Sequence, residues 1–130
     1  MKDPTQLTGA EWLVMEALWE GAPKTVTELA KQLQGSAGWA KSTSLTMVRR
    51  MEAKGLIRHE EGGRAKLYYP CLDRENAALQ ETRHFLGRVY RGSVGLMMSA
   101  LLERQQLSRQ EIDELYALLQ KAEEAKPDDR

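Results

Sequence analysis

The chain has 130 residues, 42% hydrophobic and 29% charged, and its 19 basic side chains balance its 19 acidic ones. This size and composition fit one soluble globular domain or two small ones, and zero net charge excludes a uniformly basic protein, so any surface for a polyanion has to be local. A single cysteine, Cys71, excludes an internal disulfide; no run of about 18 apolar residues exists to span a membrane, and the start MKDPTQLTGAEW lacks the apolar core of a secretion signal, so a cytoplasmic protein without membrane insertion is expected.

In chain order, three helix starts share one signature. Thr8-Gly9-Ala10-Glu11, Thr25-Val26-Thr27-Glu28 and Ser108-Arg109-Gln110-Glu111 each fit a capping box and each precedes an apolar pattern of helical period. The first helix is predicted from about Gly9 to Glu20, with Trp12, Met15, Leu18 and Trp19 on its core side, ended by Gly21-Ala22-Pro23-Lys24. The second follows Thr25, buries Val26, Leu29, Ala30 and Leu33, and is broken by Gly35-Ser36-Ala37-Gly38; Trp39 fits a short extended piece. The third is predicted over about Thr43 to Lys54, capped by Ser42 or near Lys41 and stopped by Gly55. Leu56 to His59 reads as extended, Glu61-Gly62-Gly63-Arg64 as a turn, and Ala65 to Tyr69 as the returning strand closed by Pro70.

Beyond Leu72 the character changes. Asp73 caps a long helix to about Tyr90, with Leu79, Phe85, Leu86 and Val89 on its apolar side. Gly92 interrupts it. Ser93 to Arg104 forms a short, unusually apolar helix, and Ser108 opens a last one striped by Ile112, Leu115, Leu118 and Leu119. The fold class is mainly α: an N-terminal winged helix-turn-helix with a small β-hairpin wing, then a C-terminal helical dimerization region. The domains are expected at 7–72 (DNA binding) and 73–125 (dimerization), with a disordered tail at 126–130.

The charge is unevenly placed. Lys41 to Tyr69 holds seven basic residues against three acidic ones, a local +4 that the remainder offsets with −4. At about 100° per residue, Ser42, Thr43, Arg49, Arg50 and Ala53 fall within roughly 60° of the Thr46 direction, while Met47, Met51, Ser44 and Val48 fall opposite and Leu45 on the border. A recognition helix needs this division: one side buried on the preceding helices, the other offered to a groove. Short hydroxyls near its start allow close approach, and arginines further on reach phosphates or a guanine edge. The DNA-binding residues are therefore expected to be Lys41, Ser42, Thr43, Thr46, Arg49 and Arg50, with Arg64 and Lys66 gripping flanking backbone from the wing. A polar face with two arginines also fits any solvated helix, and the alternative is a winged helix used for protein–protein interaction without sequence-specific DNA binding. The helix order and the adjoining basic hairpin favour DNA.

The C-terminal helices bury little on their own. Leu96, Met97, Leu101, Leu102, Ile112, Leu115, Leu118 and Leu119, with Phe85, Leu86 and Val89, are expected to form a homodimer interface, since burying each leucine stabilises by roughly 1.5–3 kcal/mol. Packing of these helices on the winged helix as one monomeric domain satisfies the same residues. Cys71 reads as a packed thiol, and Tyr68 and Tyr69 as braces of the wing. His59 and His84 lack a surrounding ligand cluster, so no metal or other cofactor is expected. No nucleophile–base pattern, phosphate loop or HExxH is present, so an enzyme is not expected.

On these residues, LTGAEWLVMEALWEGAPKTVTELAKQL and WAKSTSLTMVRRMEAKGLIRHEEGGRAKLYYP resemble the penicillinase and methicillin-resistance repressors, the BlaI/MecI/CopY-type family of winged-helix transcriptional repressors. HFLGRVYRGSVGLMMSALLE and LSRQEIDELYALL extend the resemblance over about residues 7–120; Glu11-Trp12 with Trp19, Thr46-Met47, Lys54-Gly55-Leu56 and Phe85-Leu86 through Tyr90 are its more specific pieces. The resemblance implies a homodimeric bacterial repressor of an antibiotic-response type, bound to a near-palindromic operator. It also implies a membrane sensor-protease as partner, because a cut at an Asn-Phe bond relieves repression in the resistance members. The pair here is Ala100-Leu101, a departure from that pattern. The ending KAEEAKPDDR likewise lacks the cysteines of the copper-responsive members.

Overall fold

A computed structural model describes residues 6–126. The elements are α1 (Gly9–Gly21), α2 (Val26–Ala37), α3 (Lys41–Ala53), β1 (Ile57–Gly62), β2 (Ala65–Pro70), α4 (Arg74–Tyr90), α5 (Val94–Glu103) and α6 (Arg109–Ala125). Two compact units divide inside α4, between His84 and Phe85, twelve residues beyond the change of character at Leu72. The expected tail lies outside the described residues apart from Lys126, which caps α6.

Local chemistry sets most boundaries. All three capping boxes form: the hydroxyls of Thr8, Thr25 and Ser108 each accept from the amide of the glutamate three positions on, at 3.1 Å, and each glutamate accepts from the cap's own amide. Asp73 opens α4 by accepting from the amides of Glu75 (2.9 Å) and Asn76 (3.2 Å). Gly55, at φ +83°, ends α3 in a Schellman motif: its amide donates to the Glu52 carbonyl and the Leu56 amide to Met51.

Three boundaries differ from expectation. α2 runs through Gly35-Ser36-Ala37, because only Gly38 (φ +72°) takes the left-handed conformation that ends it. Trp39 forms no strand; it packs half-buried against the core. α3 begins at Lys41, with Ala40 at the cap position and no side-chain cap, so Ser42 and Thr43 lie within the first turn.

In the first unit, Val14, Met15, Ala17 and Leu18 of α1 pack with Leu29 and Leu33 of α2, Val48 and Met51 of α3, and Leu56, Ile57 and Tyr68 around the hairpin. Met15, Leu18, Leu29, Leu33, Met51 and Ile57 are fully buried, and each contributes about 1.5–3 kcal/mol. Trp12 and Trp19 flank this core edge to face, and the Trp19 indole donates to the Leu72 carbonyl at 2.8 Å. The strands pair antiparallel from Ile57↔Pro70 to Gly62↔Ala65, so the turn is only Gly63-Arg64, shorter than the four residues expected. Gly63 supplies the positive φ (+85°) of the first turn position. A Cβ at Gly62 would lie 2.6 Å from Leu67, which explains the glycine there. Lys24 adds a one-residue third strand, exchanging backbone hydrogen bonds with Tyr68 at 2.8 and 3.2 Å.

In the second unit, neither α5 nor α6 contains a buried residue. Val94, Leu96, Leu102, Leu118 and Leu119 are 50–66% exposed.

Candidate nucleic-acid interface

The expected outward face of α3 faces outward. Lys41, Ser42, Thr43, Arg49 and Arg50 are exposed, Thr46 is half-buried, and Ser44, Val48 and Met51 are inside. Because no side chain caps α3, the Lys41 and Ser42 amides remain available to an incoming acceptor, while those of Thr43 and Ser44 donate to the Ala40 carbonyl; the helix dipole favours negative charge there. Ser42, Thr43, Thr46, Met47 and Arg50 line a shallow groove of about 250 Å³. Met47, predicted for the core face, packs on the core and also lines this groove.

A second depression, about 210 Å³, lies between α3 and the wing and brings Arg49 and Lys66 together with Leu45, Glu52 and Tyr68. Arg64 stands exposed at the hairpin turn. Burial pushes the Tyr68 phenol up, and Glu52 and Glu61 add to the shift while Arg49 opposes it. The His59 ring contacts the Glu52 carboxylate, and its other nitrogen lies 3.7 Å from Glu61, tying β1 to α3.

The seven basic residues of the Lys41–Tyr69 span divide into two groups. Lys54 pairs with buried Glu11, and Arg58 pairs with Glu60 at 2.7 Å and stacks 4.4 Å over Tyr69. No ion pair among the described residues engages Lys41, Arg49, Arg50, Arg64 or Lys66. The internally paired cations hold the fold; the other five are free to meet an external anion.

The Glu11–Lys54 pair, 43 positions apart in sequence, had no local signal. It joins the start of α1 to the end of α3. Burial pushes the Glu11 carboxyl up, but hydrogen bonds from Lys54 and the Thr8 amide, with the Lys54 charge, outweigh it and hold the group below its ordinary value. Arg74 anchors the start of α4 in the same way, donating to Glu16 at 3.1 and 3.3 Å; this holds the Glu16 carboxyl low, with burial opposing and the Trp12 indole hydrogen bond and the Arg74 charge adding to the shift. Cys71, predicted to be packed, is exposed: the Trp19 indole takes the neighbouring Leu72 carbonyl and half-buries Leu72 instead.

Of the residues expected at a dimer interface, Phe85, Val89, Leu96, Leu102, Leu118 and Leu119 are exposed, and Leu86, Met97, Leu101, Ile112 and Leu115 are half-buried. Leu102, Ile112, Leu115 and Leu119 line an apolar groove of about 300 Å³ between α5 and α6, joined by Met98 and Tyr116, which the sequence did not single out. Ala100-Leu101 lies within α5, both residues half-buried.

Comparison with known proteins matches this architecture. The penicillinase repressor of Bacillus licheniformis is 34% identical over 120 residues, covering 92% of this chain and 94% of that protein. The methicillin resistance regulatory protein MecI of Staphylococcus aureus is 25% identical over 116 residues, covering 89% and 94%. The solution structure of the Bacillus licheniformis BlaI monomeric form, in complex with the blaP half-operator, superposes with a TM-score of 0.51 at 32% identity, covering 58% of this chain and 93% of that one. The penicillinase repressor family model matches residues 7–121, across both units, and the chain belongs to that family.

Proposed function

We propose that this protein is a cytoplasmic transcriptional repressor that binds a near-palindromic DNA operator as a homodimer. Membership of a repressor family sets the class, and it is not a family of enzymes. The observation that carries the reading is the row of five cations without internal partners on α3 and the wing, set around an uncapped helix start. A relative with this domain is bound to its half-operator. A winged helix used only for protein contacts does not by itself call for five such cations around a helix start.

In this reading Thr43, Thr46 and Arg50 enter the major groove, with Ser42 beside them. Lys41 and Arg49 hold the phosphates at the rims, and Arg64 and Lys66 grip backbone beyond the groove. Residues 7–72 supply this surface. Residues 73–125 pair two copies through the apolar faces of α4, α5 and α6, which the exposure of Leu96, Leu102, Leu118 and Leu119 supports. A twofold dimer then places two recognition helices a whole number of DNA turns apart. No described helix is long and apolar enough to cross a membrane. A membrane sensor-protease would be a separate partner, and its cut at Ala100-Leu101 would require α5 to open first.

Gel shifts against random and palindromic duplexes, at two salt concentrations, test the reading. Preference for one palindrome, weakened steeply by salt, is expected. Equal binding to every duplex sinks it. Sedimentation tests the pairing: deletion from Ser93 onward should give a monomer, and a dimeric truncated chain refutes the assignment. Footprinting on the genome names the operator and its neighbouring genes, and a sensor-protease gene among them supports the proteolytic partner.

A further inference from the structure

We propose that Met47 is a specificity-determining residue that reads the 5-methyl group of a thymine in the major groove. The inference rests on the repressor reading. The groove on α3 is otherwise polar and cationic, built from Ser42, Thr43, Thr46 and Arg50. One apolar side chain, Met47, lines it. The other half-buried apolar side chain nearby on this helix, Leu45, belongs to the separate depression against Val26 and Tyr68. Met47 has one end packed on the core and a surface in the groove, so it is braced rather than loose. A thioether cannot bond a phosphate or a base edge strongly. In the major groove the apolar feature that distinguishes one base pair from another is the thymine methyl, which side chains meet by van der Waals contact. Thr46 and Arg50 beside it supply a hydroxyl and a guanidinium for the polar edges of the same or the next base pair. Met47 therefore selects by methyl contact where its neighbours select by hydrogen bonds.

The test separates this role from simple core filling. A duplex is selected from a randomised twofold-symmetric pool with the full-length protein. Each thymine is then replaced by uracil in symmetric pairs, which deletes the methyl and nothing else. At one position per half-site the parent should lose about fourfold in affinity for each methyl, roughly fifteenfold for the pair. Met47→Ala should bind the thymine duplex more weakly and no longer distinguish thymine from uracil at that position. Met47→Leu should keep the distinction. If Met47→Ala folds poorly, Met47→Gln, of similar volume, replaces it with the same expectation. An unchanged thymine-to-uracil ratio in Met47→Ala or Met47→Gln overturns the proposal, as does a parent that discriminates nowhere. A parent that enriches no duplex at all defeats the repressor reading itself, and the proposal with it.

Discussion

Arg64→Ala isolates the wing's contribution to DNA binding. Arg64 occupies the second position of the two-residue turn, is exposed, and has no described ion pair, so alanine leaves the hairpin intact. The residue does not require the left-handed backbone that would penalise the substitution. The four cations assigned to phosphates, Lys41, Arg49, Arg64 and Lys66, give about eight phosphate contacts in the proposed dimer, and a slope of affinity with salt of about −7 on logarithmic axes. Removing Arg64 from both wings removes about two contacts, so the slope should flatten to roughly −5. Relative to binding near 1 M salt, that difference corresponds to roughly thirtyfold weaker binding at about 0.15 M. Fluorescence anisotropy of a labelled operator over about 0.1 to 0.4 M salt measures the slope directly. Arg58→Ala is the matched control: its guanidinium is held by Glu60 and stacked on Tyr69, so its loss should leave the slope unchanged. An unaltered slope for Arg64→Ala, or an equal change for Arg58→Ala, would refute the division of this basic span into structural and DNA-facing cations.

Three further outcomes concern stability. Because the folded Glu11 carboxyl lies below its ordinary value of 4.5, its contribution is present above that pH and is lost as pH falls through the lower folded value. Glu11→Gln should therefore destabilise by on the order of 1 kcal/mol at pH 7 and by less below about pH 4, measured by urea unfolding at both; a pH-independent loss contradicts the ion pair. Ser44 is fully buried and its hydroxyl has no hydrogen-bond partner among the described residues, so Ser44→Ala should raise stability by about 1 kcal/mol, and a lowered melting temperature would show that the hydroxyl is satisfied. Gln105 sits at φ +55° after α5, where Gln105→Gly should stabilise by up to about 1 kcal/mol in thermal unfolding; a loss there means the side chain matters more than the backbone.

What the sequence made legible was local. The three capping boxes, the Gly55 stop and the polar face of α3 are each decided within one short stretch of chain, and each appears where the pattern puts it. The start of α3 was misplaced because a serine beside a helix is a strong cap signal, yet Ser42 lies inside the turn and Ala40 occupies the cap. Lys24 carries no strand periodicity in a single bridged residue, and its pairing with Tyr68 depends on a hairpin more than forty positions away. Glu11 looked like one half of a capping box and is also the buried partner of Lys54. Angular projection gave the direction of Met47 but not its depth, so its place in the groove was missed.

The two-residue hairpin leaves β1 as an open sheet margin, since β2 is flanked by β1 on one side and Lys24 on the other. That margin carries Arg58, His59, Glu60 and Glu61 in succession. A row of mixed charge is a poor template for a neighbouring chain to zip onto. Edge-to-edge pairing of the wings of two molecules is therefore disfavoured.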